Sequence, residues 1–165
     1  MPAGLESFRS SESRAADGSI ETEQRVLLPA PVVPLTEDGG RALGRRYWLE
    51  VTREARGLIR ARAGAEGVEI HLAGVGLTLL ALGPEEVMVE SDRVTCRFPI
   101  RGGMLSGAAG GELVVAQIDG DSPELSVTVS GFFARRGLLY RQLQRRLHVS
   151  VSRRYFRSLL AEDPA

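Results

Sequence analysis

RGLLYRQLQRRLHVSVSRRYFRSLLAE, residues 136–162, is the stretch on which the fold turns. From about residue 57 to residue 133 the chain reads as short strands, and only this later run carries helical spacing over a long distance. Leu139, Leu143, Leu147, Val151, Tyr155 and Leu159 recur every fourth residue. A helix turns about 100° per residue, so each of them steps about 40° from the last and the apolar stripe drifts, with Tyr140, Phe156 and Leu160 widening it. Such a helix bends, breaks near residues 149–152, or lies across a twisted sheet whose surface turns beneath it. The last is the reading adopted, because the strands that precede it need a cover.

Those strands are marked by their turns. Residues 58–63 and 68–73 flank Gly64-Ala65-Glu66-Gly67, and residues 77–82 follow Gly74 and Gly76 and end at Gly83-Pro84. Residues 87–90 and 94–100 flank Ser91-Asp92-Arg93, and residues 112–118 and 125–133 flank Asp119-Gly120-Asp121-Ser122-Pro123. This makes about seven strands, with no connection long enough for a crossover helix, so the sheet is antiparallel. Val68, Ile70 and Leu72 alternate with Glu69 and His71, as Val94, Cys96 and Phe98 do with Thr95 and Arg97. One face is therefore apolar, and the C-terminal helix is the element long enough to bury it.

Upstream the signal weakens. Residues 1–22 are small, polar and mixed in charge and read as a disordered tail, leaving 23–162 as a single domain. Residues 24–28 suit a first strand, and Pro29, Pro31 and Pro34 forbid its continuation. RALGRRYWLEVTREAR, residues 41–56, fits both helix and strand; Leu43, Tyr47, Val51 and Ala55 hold helical spacing for longer than Tyr47, Leu49 and Val51 alternate, so it reads as helix, ended by Gly57.

Composition narrows the chemistry. All 21 basic residues are Arg, balanced by 21 acids. Without lysine there is no Schiff-base or phosphate-loop amine, and zero net charge gives no overall footprint for nucleic acid, which is not an expected partner. The lone cysteine, Cys96, fits a reducing compartment, and no stretch has the length of a membrane span or the form of a signal peptide. A cytoplasmic protein is expected.

The order strand, helical insert, curved antiparallel strands and one long C-terminal helix, with LSVTVSGFFARRGLLYRQLQRRLHVSVSRRYFRSLLAE leading from the last strand into that helix, resembles the helix-grip superfamily of START lipid-transfer domains, birch-pollen allergen and polyketide cyclase-like domains. The resemblance covers roughly residues 24–162 and rests on layout. It implies an α+β fold in which a curved antiparallel sheet of about seven strands wraps around the C-terminal helix, with a short helical insert after the first strand. It further implies a cavity between sheet and helix for an apolar or amphipathic small molecule.

On that layout Val94, Cys96, Phe98, Gln117, Tyr140, Leu143, Leu147 and His148 are the expected ligand-lining residues. His71 falls on the polar face, and neither histidine has a neighbour at metal-ligand spacing. No carboxylate sits at a position read as inward, which argues against acid–base catalysis. The leading expectation is non-catalytic ligand binding without a cofactor or metal. One rival is a cyclase or aromatase using His148 or Tyr140. Another is an interaction protein that docks an anionic partner or membrane surface through Arg145, Arg153 and Arg157, among eight arginines and no acid over residues 135–157.

Overall fold

A computed structural model of the chain describes residues 7–134 and 138–161, with backbone alone for 138–145 and 147. The described strands are β1 (Arg9–Arg14), β2 (Ile20–Leu27), β3 (Ile59–Gly64), β4 (Gly67–Leu72), β5 (Leu77–Leu82), β6 (Glu86–Val89), β7 (Arg93–Gly102), β8 (Glu112–Ile118) and β9 (Glu124–Phe132). The helices are α1 (Glu37–Glu54), inserted after β2, and α2 (Leu138–Ala161). The nine strands form one antiparallel sheet in the order β1-β2-β9-β8-β7-β5-β4-β3, and β6 pairs the first half of β7. The fold is α+β, with a large antiparallel sheet, an insert helix and a long C-terminal helix, as the sequence predicts.

The seven strands marked by turn residues are β3 to β9. The N-terminal region differs from its reading as a disordered tail over 1–22: residues 9–14 are β1, and β2 begins at Ile20. All six residues of β1 are exposed, so this strand has no apolar face to announce it and is held by backbone pairing with β2 from Arg9↔Arg25 to Arg14↔Ile20.

Pairing registers align the inner-face side chains into rows across the sheet. One runs Val26–Leu125–Gln117–Val94, the next Gln24–Val127–Val115–Cys96, and a third Thr22–Val129–Leu113–Phe98. The first two rows are closed: Val26, Leu125, Gln117, Val94, Gln24, Val127, Val115 and Cys96 are at most 1% exposed.

Much of that cover comes from α1. Thr36 caps it, its side chain accepting from Gly39 N at 3.1 Å, with Glu37 and Asp38 placed favourably in the first turn. Arg56 (φ 50°) and Gly57 (φ 80°) then turn the chain out. The helix begins at Glu37, ahead of the start at 41 read from the sequence, and its glycines let it lie against the sheet. A Cβ on Gly40 would stand 2.5 Å from Val87 Cγ1, and one on Gly44 would stand 2.7 Å from Cys96 Sγ and 2.9 Å from Phe98 Cζ. The helix consequently rests almost in backbone contact on β6 and β7.

The C-terminal helix runs unbroken through residues 149–152. Val151, Tyr155, Phe156 and Leu159 are buried, as the stripe requires. This half packs on α1 and β2: Arg46 Nε donates to Ser158 Oγ at 3.1 Å, Tyr47 and Tyr155 meet edge to face at 5.5 Å, and Ser152 Oγ donates to Gln24 Oε1 at 3.3 Å. Residues 138–147 lie N-terminal to all of these contacts.

Candidate functional site

Four of the predicted lining residues share the inner face, but their neighbours give them different roles. Val94 and Cys96 are fully buried beneath the glycine face of α1. Phe98, 1% exposed, packs against the same face and meets Trp48 edge to face at 5.2 Å. Gln117 has its polar capacity met by protein. Its Oε1 accepts from Val32 N at 2.8 Å and Val33 N at 3.0 Å, while Nε2 donates to Val33 O and Asp119 Oδ1, both at 2.8 Å. It anchors the proline-rich connection between β2 and α1. The side chains of Tyr140, Leu143, Leu147 and Arg145 lie outside the described residues.

His148 is brought into a polar chain that no sequence spacing announces. Its Nδ1 lies 3.4 Å from Tyr47 Oη on α1, and its Nε2 lies 3.2 Å from Thr22 Oγ1 on β2. With Tyr47 donating to Nδ1, Nε2–H donates to Thr22; the other tautomer reverses the chain and satisfies it equally. The third row of the sheet, Thr22–Val129–Leu113–Phe98, begins at this chain. Val129 in that row is half-buried, as is Leu80, the β5 partner of Ile70. Phe98 and Leu113 in that row are buried, so the partial exposure falls on Val129 and Leu80, with Thr22, the pairing partner of Val129, leading to His148 and Tyr47.

The titratable groups here are held neutral. Burial pushes the His148 imidazole down to about 4. Burial also raises the Tyr47 and Tyr155 phenols, and Tyr155 Oη donates to Leu43 O at 3.1 Å. Burial first, and the Glu85 carboxylate second, push the Cys96 thiol up to about 12. Desolvation penalises whichever form carries charge, so all four move toward neutrality at pH 7.

One carboxylate, contrary to the sequence reading, is inward. Glu50 is 1% exposed on the side of α1 that faces α2. Arg53 Nη1 reaches its Oε1 at 2.8 Å and Arg154 Nε its Oε2 at 3.0 Å, with Arg46 Nε at 3.8 Å. Arg154 also pairs with Glu54 at 3.2 Å, and Ser150 Oγ donates to the Glu54 carboxylate. The Ser150 hydroxyl, ahead of Arg154, holds Glu54 below the usual carboxylate range. This cluster ties the helices together. A carboxylate so matched by guanidinium donors is an ion-pair clamp.

Of the other predicted positions, His71 lies on the polar face with Nε2 3.0 Å from Glu69 Oε2. Arg153 and Arg157 are exposed, Arg153 lying 4.8 Å over the Phe8 ring. Among the described residues no group of three or more His, Cys, Asp or Glu side chains could hold a metal ion. No helix of the described residues is long and apolar enough to cross a membrane.

For Trp48, sequence reasoning weighs a place at the cavity mouth against core packing and prefers packing. Trp48 is 7% exposed, yet its Nε1–H meets no acceptor among the described residues. Its helical spacing with Gly44, on the face turned to the sheet, was the available signal.

No protein-family model matches the chain, and no curated protein is similar to it. Among solved structures it is similar to CalU16 from Micromonospora echinospora, with a TM-score of 0.42 and 12% identity for the crystal structure, over 93% of this chain and 85% of that one. The solution structure of CalU16 gives a TM-score of 0.36 at 17% identity, over 99% of this chain and 81% of that one. Protein Ms6760 from Mycobacterium smegmatis gives 0.44 at 12% identity, over 96% and 99%. At this level the likeness fixes neither a family nor a ligand.

Proposed function

We propose that the protein is a non-catalytic binding module for a small apolar or amphipathic molecule, held between the sheet and the first half of α2. The observation that carries this reading is the change along the inner face. Its first two rows are closed, whereas Val129 and Leu80 further along are only half-buried, on an apolar wall bordered by neutral polar groups. A ligand there gains affinity chiefly from apolar burial, at about 25 cal/mol per Å². Leu143 and Leu147 remain its proposed partners on the helix.

The cyclase-type rival draws support from the partners of His148, but their chemistry favours binding. An efficient general base has a pKa near the working pH, and His148, down at about 4, is mostly unable to hold a proton near neutrality. Tyr47, with its phenol raised, keeps its own. The pair is suited to orient a neutral group by hydrogen bonding.

Native mass spectrometry of the purified protein is expected to retain a small organic compound, and N-phenyl-1-naphthylamine to bind saturably. Val129→Trp, which fills the half-buried part of the third row, should abolish dye binding while leaving cooperative thermal unfolding intact. A protein that retains nothing and takes up no dye would remove this reading.

A second reading rests on a separate observation. Arg146, Arg153 and Arg157 are exposed and, seven and then four residues apart, recur on one side of α2. Such a stripe suits an anionic phospholipid surface. Co-sedimentation with phosphatidylserine vesicles should be lost at high salt and in the Arg146, Arg153, Arg157 triple replacement by Glu; binding that survives both would rule out the stripe.

A further inference from the structure

Nearly every buried polar tip on the inner side of this sheet has a partner. Gln117 meets two backbone amides, a carbonyl and Asp119; Gln24 meets Ser152 and Ser10; Tyr155 meets Leu43 O; Tyr47, His148 and Thr22 meet one another. Trp48 is the exception among them. Its indole is held edge to face by Phe98 at 5.2 Å and by Tyr47 at 5.1 Å, with interplanar angles of 81° and 79°. So clamped, the ring keeps its Nε1–H from turning to solvent, and the donor has no acceptor among the described residues. A buried donor left unmet costs its full desolvation, and a fold that satisfies its neighbours so completely has reason to leave one free.

We infer that Trp48 Nε1–H is a recognition donor, and that the bound molecule presents to it an uncharged carbonyl oxygen carried on an apolar frame. The inference rests on the binding reading above and specifies its ligand class. A donor without any acceptor capacity selects for an acceptor. The acceptor is uncharged because the rings that hold the indole, Phe98 and Tyr47, carry no charge, and the guanidinium groups of Arg46, Arg53 and Arg154 are engaged by Glu50 and Glu54. Cys96 and Tyr155, buried on the same side of the sheet, offer no positive charge either. A carboxylate or phosphate brought against these rings would give up its hydration to two neutral neighbours. A pure hydrocarbon would leave the indole unmet, so the site discriminates between ligands by one hydrogen bond.

The test uses a matched pair of fluorescent probes, 6-propionyl-2-(dimethylamino)naphthalene and its carbonyl-free counterpart 2-(dimethylamino)-6-propylnaphthalene. The ketone is expected to bind about tenfold more tightly than its carbonyl-free counterpart, and Trp48→Phe should erase that difference by weakening the ketone alone. Equal weakening of both probes, or equal affinity in the unaltered protein, would overturn the inference while leaving the binding reading intact. Binding of neither probe would remove both. A second measurement needs no variant: Trp48 is the single tryptophan, so its indole proton gives one ¹⁵N-correlated resonance. The ketone should move it downfield and the carbonyl-free probe should not; a resonance indifferent to bound ketone would equally overturn the assignment.

Discussion

His148 shows how one residue can couple the interior to pH. Its imidazole is neutral between Tyr47 and Thr22 and lies down at about 4, against 6.5 for the free group. Between those two values the unfolded chain binds a proton that the folded one refuses, so stability falls as pH drops from 6.5 toward 4 and this group adds no further loss below that. Lowering a pKa by one is worth about 1.4 kcal/mol, which sets a ceiling of about 3 kcal/mol on the effect. Glu54 also loses its contribution in acid, since its carboxyl is held below the usual range by Ser150 and Arg154, but it does so in any His148 variant. The comparison of interest is therefore a difference. Urea unfolding of wild type and His148→Gln at pH 7.5 and pH 4.5 should show the wild type losing more stability than the variant. Parallel losses would mean that His148 is protonated in the fold.

At the scale of elements, the approach of α1 to β7 is what closes the β7 end of the first two rows of the inner face, and Gly44 is the residue that permits it. Alanine there would gain about 1 kcal/mol in helix propensity. The added Cβ, however, meets Cys96 Sγ at 2.7 Å and Phe98 Cζ at 2.9 Å, and overpacking of this kind costs about 1–3 kcal/mol. Gly44→Ala should destabilise the protein, and by less in a Cys96→Ala background, because one of the two overlaps is gone. A double-mutant cycle by chemical denaturation should return a coupling of about 0.5–2 kcal/mol; additivity would mean that α1 shifts freely. The same pair explains what the sequence made legible. Turn residues and alternation marked β3 to β9, and the four-residue period marked α2, since in both cases the burial pattern repeats along the chain. Gly39 and Gly40 lie outside the helix read over 41–56, and Gly44 carries no mark of its role, because close approach is a property of two elements. In β2 the inward Thr22 and Gln24 broke the apolar alternation, and β1 has no inward face. The partners of His148 lie 101 and 126 residues away, and Glu50 faces a helix about a hundred residues on, so no local spacing records either meeting.

For the molecule as a whole, the question is whether α1 and α2 leave the sheet together. The Glu50–Arg154 and Glu54–Arg154 pairs, the Arg46–Ser158 hydrogen bond and the Tyr47–Tyr155 contact join the helices to each other. Gly40, Gly44 and Trp48 join α1 to β6 and β7. Lifting α2 alone breaks the first set and leaves α1 seated, whereas exposing the sheet beneath α1 breaks both. Cys96 reports on the difference. It is the single cysteine, fully buried under Gly44, with its thiol pushed up to about 12, so in the closed state it offers a reagent neither access nor thiolate. Labelling by 5,5′-dithiobis(2-nitrobenzoate) at pH 8 should therefore proceed only through openings that remove α1. If those openings coincide with global unfolding, the labelling free energy will equal the denaturation free energy and will carry the same dependence on urea. Labelling that is faster than this, with a shallow urea dependence, would show that α1 swings off the sheet as a separate unit. A ligand bound against the intact fold should slow the labelling as its concentration rises, because it draws population away from every open state.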